Sequence, residues 1–122
     1  MKQHSISFVN AGHGIWTAII TQTNIRIHII VGSLVIFLSS YLHITFDQVI
    51  DLILTISVVL VAEMVNTSLE FLSDAVTLEH NLNIKYAKDV AAGAVLISAI
   101  FAIFIGIIIF APQLLDLLST KY

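Results

Sequence analysis

The sequence contains no cysteine, one proline and few charged residues. Of its 122 residues only 11% are charged, whereas 58% are hydrophobic. Without cysteine the chain can form neither a disulfide nor a thiolate metal site, and it has no cysteine nucleophile. Water-soluble domains carry roughly 25% charged residues, and a chain this short cannot bury so much apolar surface in one core. The composition therefore argues against a soluble domain and predicts that lipid surrounds most of the protein.

Positive charge is also scarce. Five Lys and Arg residues stand against eight Asp and Glu, which gives a formal net charge of −3. No basic surface is available to attract a phosphate backbone, so we expect no nucleic acid partner. The chain lacks the G-x-x-x-x-G-K-S/T loop with which many proteins bind ATP. The N-terminal MKQHSISFVNAGHG has no early apolar run before a small-residue cleavage site, and we interpret it as mature protein rather than a signal peptide.

Three long apolar stretches dominate the chain. Each has the roughly 20 residues that a helix needs to cross about 30 Å of hydrocarbon, whereas a spanning β-barrel needs alternating segments. The expected fold is an all-α membrane protein of one domain, residues 1–122, with an N-terminal interfacial amphipathic helix and three transmembrane helices. We expect the surface helix at about residues 5–24 and the spans at about residues 27–46, 50–73 and 87–110.

The segment before the first span predicts a helix that lies on the membrane surface. Its polar residues recur every three or four positions, and its apolar residues can share one helical face: Phe8, Val9, Ile15, Trp16, Ile19 and Ile20. Gly12 and Gly14 weaken this helix, and a frayed surface segment is the alternative interpretation.

The basic residues predict the orientation in the membrane. Lys2, Arg26, Lys85 and Lys88 fall on the side shared by the N-terminus and the connection between the second and third spans, and only Lys121 falls on the other side. By the positive-inside rule, we expect the N-terminus and this connection to face the cytoplasm. A site on that side can meet ATP and magnesium.

The second span carries acidic residues, which membrane helices usually avoid. Each costs about 2.5 to 3.5 kcal/mol on insertion scales, so its presence calls for a compensating role. In AEMVNTSLEFLSD, helical rotation places Glu63, Asn66, Glu70 and Asp74 within an arc of about 80°. Carboxylate and amide oxygens are ligands for magnesium, with water and substrate phosphate in the remaining positions. The pattern predicts a cation site, and the alternative is that protonated carboxylates bond to neighbouring helices and hold a bundle together.

The segment KYAKDVAAGAVL places Lys88 and Asp89 at the start of the third span. Taken alone, this pair marks the boundary between water and lipid. Combined with the acidic residues of the second span, it predicts a phosphate-binding lysine beside an acceptor for metal or ribose. The histidines form no pair at zinc-site spacing on one helix, and we interpret them as interfacial residues rather than ligands: His4, His13, His28, His43 and His80.

The motif AEMVNTSLE, followed by Asp74 and then by AKDVAAGAVL, resembles the signature of the small prokaryotic membrane lipid kinases, the diacylglycerol kinase and undecaprenol kinase family. The resemblance extends over residues 8–110 and includes NIRIH at residues 24–28. It implies ATP-dependent phosphorylation of the primary hydroxyl of a lipid alcohol with Mg²⁺. It also implies a homotrimer in the bacterial inner membrane, with active sites shared between subunits. The two motifs are slightly more similar to the undecaprenol kinase branch.

The family motif E-x-x-N-x-x-x-E falls on the acidic face of the second span. The resemblance implies that Glu63 is the catalytic base, that Glu70 binds the metal and that Asn66 orders the site. It also implies that four further residues line the nucleotide side: Asp74, Glu79, Lys88 and Asp89.

One position departs from the family pattern. Where the family often has a second metal-binding glutamate, this sequence has Gln22. An amide oxygen can coordinate magnesium, but it contributes no full charge. Gln22 is therefore a candidate metal ligand, and the alternative is a polar residue on the exposed face of the surface helix.

Two other classes of function remain open from the residues alone. A small transporter or proton relay can also use Glu63 and Glu70 within a bundle, and it predicts ion flux without ATP. A structural or pore-forming oligomer predicts that neutralising both glutamates stabilises the protein without removing a function.

Overall fold

The computed structural model describes residues 8–119. In that range the chain forms four helices joined by short connections: α1 (Phe8–Thr21), α2 (Thr23–Tyr41), α3 (Phe46–Val76) and α4 (Leu82–Ser119). The last three of these helices are long enough and apolar enough to cross a membrane. This confirms the predicted all-α membrane protein, with one helix before three candidate spans. Lys2, His4, Lys121 and the expected first residues of the surface helix lie outside the described range.

The helices extend beyond the apolar stretches at the end where α3 meets α4. The connection there is only residues 77–81, because α3 continues to Val76 and α4 already begins at Leu82. Hydropathy marks where a chain leaves the hydrocarbon, whereas a helix continues for as long as its backbone hydrogen bonds are made. Asp74, Lys88 and Asp89 are consequently helical residues, and Glu79 lies in the connection.

The opposite connection, between α2 and α3, is residues 42–45. It ends in a capping box, in which the Thr45 side chain accepts a hydrogen bond from the Gln48 backbone N–H and the Gln48 side chain accepts one from the Thr45 backbone N–H. This arrangement satisfies two backbone donors that a helix start leaves free. The T-x-x-Q sequence therefore fixes where α3 begins.

The central helix is α3, which packs against both α2 and α4, while α1 packs against α2 and α3. Buried residues recur every seven positions on two of these helices: Leu52, Val59, Asn66 and Ser73 on α3, and Ile25, Gly32 and Ser39 on α2. A seven-residue repeat is typical of helices that pack with a shallow left-handed crossing. The same repeat is apolar in the first half of α3 and polar in the second half.

The apolar core lies at the end of the bundle near residues 42–45. Leu52 of α3 clusters there with Ile109 and Phe110 of α4. Many large apolar side chains remain on the outside of the helices, as expected of a surface that faces lipid or other protein chains. The second half of α3 is therefore free to carry polar side chains without removing the main apolar contact.

Candidate active site

The second half of α3 carries a buried polar face. Glu63 is 2% exposed and Asn66 is 9% exposed, although both side chains are polar. Glu70, one turn further on, is half-buried. Side chains three and four residues apart lie on the same side of a helix, so the E-x-x-N-x-x-x-E spacing aligns these three groups. The structure brings them to one buried face, as the sequence predicts.

The side-chain amide of Asn66 is hydrogen-bonded to the next acidic residue on this face, Glu70. Its Nδ2 donates a hydrogen bond to Oε1 of Glu70 over 3.0 Å. Its Oδ1 is buried and makes no hydrogen bond within the described part of the chain, and the same is true of the neighbouring Thr67 Oγ1. Buried polar atoms are almost always paired, and an unpaired one carries a desolvation cost. Among residues 8–119, Oδ1 of Asn66 is therefore a buried acceptor without a hydrogen-bond partner.

His28 of α2 reaches the most buried carboxylate of the site. Its Nε2 lies 3.3 Å from Oε1 of Glu63, and its side chain is about one quarter exposed. The sequence interpretation treated His28 as an interfacial residue and missed this contact. The sequence did contain one signal for this contact. Both residues are ionisable, lie within apolar helices, and stand about four to five helical turns from the connection at residues 42–45.

The ends of α3 and α4 are joined by an ion pair. Nζ of Lys88 lies 2.6 Å from Oδ1 of Asp74, and the two side chains remain partly exposed. Asp89 pairs instead with Lys85, one turn earlier on α4. The structure thus brings Asp74 and Lys88 together at the ends of α3 and α4, and their role on the nucleotide side stays a prediction. Because exposed ion pairs contribute little free energy, this pair can open for an anionic ligand.

Two predicted site residues stand apart from this group. Gln22 lies at the break between α1 and α2, with extended backbone angles, and caps no backbone donor with its side chain. Glu79 is exposed in the 77–81 connection, where its backbone N–H donates to Oγ1 of Thr77. Among the described residues, neither side chain makes a hydrogen bond or ion pair with Glu63 or Glu70. The structure of a single chain therefore assembles only part of the predicted site.

The chemistry of the buried face fits a hard cation such as magnesium. Among residues 8–119, no group of three or more His, Asp or Glu side chains converges on one point. Magnesium does not require such a cage, because it usually binds one or two carboxylates and takes its other ligands from water and phosphate. Glu70 would offer such a site a carboxylate, and Oδ1 of Asn66, which has no hydrogen-bond partner among the described residues, would offer a further oxygen.

An apolar cavity of about 330 Å³ lies among α2, α3 and α4. Its walls are mostly aliphatic and small side chains together with the aromatic Phe110, and His28 is the ionisable residue that lines it. Since His28 also contacts Glu63, the cavity begins beside the buried carboxylate. An apolar cavity thus lies beside Glu63, and the exposed Asp74–Lys88 pair lies further along α3, towards the 77–81 connection.

Comparison with known proteins gives concordant matches. The sequence profile of the prokaryotic diacylglycerol kinase family matches residues 9–110. A diacylglycerol kinase from Synechocystis sp. is 41% identical over 114 residues, which are 93% of this chain and 65% of that protein. An undecaprenol kinase from Bacillus subtilis is 34% identical over 108 residues, which are 88% of each chain. The chain spans just under two thirds of the first relative and most of the second.

Proposed function

Because this chain belongs to the prokaryotic diacylglycerol kinase family, we propose that it transfers the γ-phosphoryl group of ATP to the primary hydroxyl of a membrane lipid alcohol, either undecaprenol or diacylglycerol. The observation that carries this proposal is the buried carboxylate of Glu63, on one helix face with Asn66 and Glu70. A carboxylate inside a membrane helix is expensive, and it persists where a function uses it.

Glu63 is the general base in this proposal. It accepts the proton of the lipid hydroxyl while the hydroxyl oxygen bonds to the γ-phosphorus. The bond from that phosphorus to the bridging oxygen breaks, and ADP leaves with the bonding electron pair. Phosphoryl transfer depends mainly on positioning and on charge neutralisation, so one well-placed base suffices. Burial of Glu63 beside the apolar cavity supports approach of the hydroxyl from the hydrocarbon side.

Magnesium is the metal that the proposal requires. Glu70 and Oδ1 of Asn66 would hold it, and the amide oxygen of Gln22 is a candidate for a further ligand. When bound, Mg²⁺ neutralises negative charge on the phosphates. The hydrogen bond from Asn66 to Glu70 supports this assignment, because it fixes the carboxylate in one orientation.

The nucleotide side consists of Asp74, Lys88 and Asp89, with Glu79 nearest the adenosine. Lys88 would exchange its contact with Asp74 for a phosphate oxygen of ATP. The exposure of that pair supports the exchange, since little free energy is lost when it opens. Asp74 and Asp89 would then be free to accept hydrogen bonds from metal-bound water or ribose.

We further propose a bacterial inner membrane location, with the N-terminus and the 77–81 connection in the cytoplasm. Arg26, Lys85 and Lys88 support this orientation, because all three lie towards the end of the bundle that carries that connection. A homotrimer with shared active sites accounts for the large exposed apolar surface. It also accounts for the separation of Gln22 and Glu79 from Glu70 in one chain, because a neighbouring subunit can complete the site.

In the decisive experiment, purified protein is placed in lipid vesicles that contain either undecaprenol or diacylglycerol. Labelled ATP is then added, with and without Mg²⁺. We expect label in one of the two lipids, only with Mg²⁺, and none for the Glu63→Gln, Glu70→Gln double variant. Absence of label in both lipids from folded protein, or label at the native rate from the double variant, refutes the proposal. Ion flux into sealed vesicles without ATP would favour a transporter instead.

A further inference from the structure

The buried carboxylate of Glu63 has one basic neighbour in the described part of the chain. That neighbour is His28, whose Nε2 approaches Oε1 of Glu63 to 3.3 Å from a different helix. The distance is slightly longer than the roughly 2.7–3.2 Å of an ordinary N–H···O hydrogen bond, and catalytic hydrogen bonds are often long before substrate binds. The lysines near the site are occupied elsewhere, Lys88 with Asp74 and Lys85 with Asp89.

Helix packing holds the two side chains against each other. Gly32 lies one turn after His28 on the same face of α2, and Ile56 lies two turns before Glu63 on the same face of α3. A Cβ atom built on Gly32 would lie only 3.0 Å from Cγ2 of Ile56. The absence of a side chain at Gly32 therefore allows α2 and α3 to approach closely, one turn from the contact between His28 and Glu63.

Imidazole is suited to a carboxylate that must remain basic. A neutral imidazole donates one N–H to the carboxylate without adding a charge. A lysine or arginine in the same place would form a full ion pair, which favours the deprotonated carboxylate and weakens it as a proton acceptor. His28 also lines the apolar cavity, so it stands where a lipid hydroxyl would meet Glu63.

We propose that His28 is a positioning residue, which orients the carboxylate of Glu63 through an Nε2–H donor so that the carboxylate faces the lipid hydroxyl. The inference rests on the proposed lipid kinase function, and it assigns no bond-breaking step to His28. His28 acts only through Glu63. Loss of the donor should lower the rate of the chemical step and leave the binding of ATP and lipid nearly unchanged.

The test compares two substitutions that differ in the donor. The side-chain Nε2 of His28→Gln can take the place of the imidazole Nε2, whereas His28→Leu has no donor. We expect His28→Leu to lower kcat by about 10- to 100-fold, by analogy with the loss found when a group that orients a metal ligand is removed. The KM values for MgATP and lipid should change by less than about threefold, and His28→Gln should recover most of the lost rate. His43→Asn, at the opposite end of the bundle, is the matched control.

A double-mutant cycle separates positioning from a structural role. If His28 acts through Glu63, then His28→Leu should lower the residual rate of Glu63→Gln by less than about threefold. A further tenfold loss of rate in the Glu63→Gln background overturns the inference. So does an equal loss of kcat in His28→Leu and His28→Gln, and so does a kcat of His28→Leu equal to that of the native protein. Helix content and thermal unfolding in detergent report whether each variant folds. If the native protein phosphorylates neither lipid, the proposed function fails, which is distinct from failure of the role of His28.

Discussion

Replacing Glu63 with glutamine should separate activity from stability. The substitution keeps the size of the side chain and an oxygen that can accept a hydrogen bond from His28, but it removes the basic carboxylate. A general base contributes about 10²- to 10⁴-fold to a reaction. Because Glu63 is only 2% exposed, bulk water has little access to replace it. We therefore expect kcat to fall by about 10³- to 10⁴-fold, which corresponds to about 4 to 5.5 kcal/mol of activation free energy.

The same substitution should leave the fold at least as stable. A carboxylate in a membrane helix costs about 2.5 to 3.5 kcal/mol on insertion scales, and an amide avoids part of that cost. The amide oxygen can still accept a hydrogen bond from His28, but that bond is weaker than one to a carboxylate, which offsets part of the gain. We expect the free energy of unfolding of Glu63→Gln to equal or exceed that of the native protein.

The assay measures initial rates with saturating MgATP and lipid alcohol, together with thermal unfolding in detergent. Asp51→Asn is the matched control, because it makes the same change of charge on an exposed residue at the opposite end of α3, and it should retain the native rate. A Glu63→Gln variant that keeps more than about one tenth of the native rate refutes the base assignment. A variant that unfolds far more readily than the native protein instead supports a structural role for the carboxylate.

Three further changes test the metal, the nucleotide and the helix packing. Glu70→Gln should raise the Mg²⁺ concentration needed for half-maximal rate, and an unchanged requirement in a Mg²⁺ titration contradicts its role as a ligand. Lys88→Met should raise the KM for ATP by about 10- to 100-fold, which is the loss expected for one hydrogen bond to a charged group. Initial rates at varied ATP concentration measure this KM, and an unchanged value contradicts the assignment. Gly32→Val should destabilise the protein by about 1 to 3 kcal/mol through overpacking against Ile56, measured as a lower unfolding midpoint. Gly106→Val, where an added Cβ meets no atom within 4 Å, should show a much smaller decrease.

The helices were predictable because each apolar stretch is long enough to cross a bilayer and must satisfy its own backbone hydrogen bonds there. Their ends were less predictable from hydropathy. α4 continues through Pro112 to Ser119, beyond the expected end at residue 110, although proline removes a backbone donor and often interrupts a helix. Hydropathy locates the part of a helix that lies in lipid, and it carries little information on how far the helix extends into water.

The candidate site was predictable within a helix and less so between helices. The spacing of Glu63, Asn66 and Glu70 fixes their shared face, because helical rotation depends only on residue number. The contact of His28 with Glu63 depends on the rotation and axial position of α2 relative to α3, to which close packing at Gly32 contributes. The relative rotation and axial position of two helices cannot be predicted from a single sequence by helical periodicity. For the same reason, the sequence assigned Lys88 and Asp74 to one region without predicting that they pair.

The seven-residue repeat of α3 explains how one helix can serve both packing and chemistry. Its buried positions are apolar at Leu52 and Val59 and polar at Asn66 and Ser73. The first pair lies towards the connection at residues 42–45, where Leu52 packs against Ile109 and Phe110. Because lipid tails are as apolar as these side chains, the contacts in that half stabilise the bundle through van der Waals packing rather than through removal of apolar surface from water. The polar half can therefore keep Oδ1 of Asn66 without a hydrogen-bond partner in the part of the chain that the structure describes, because the packing that holds the helix in place lies elsewhere along the same face.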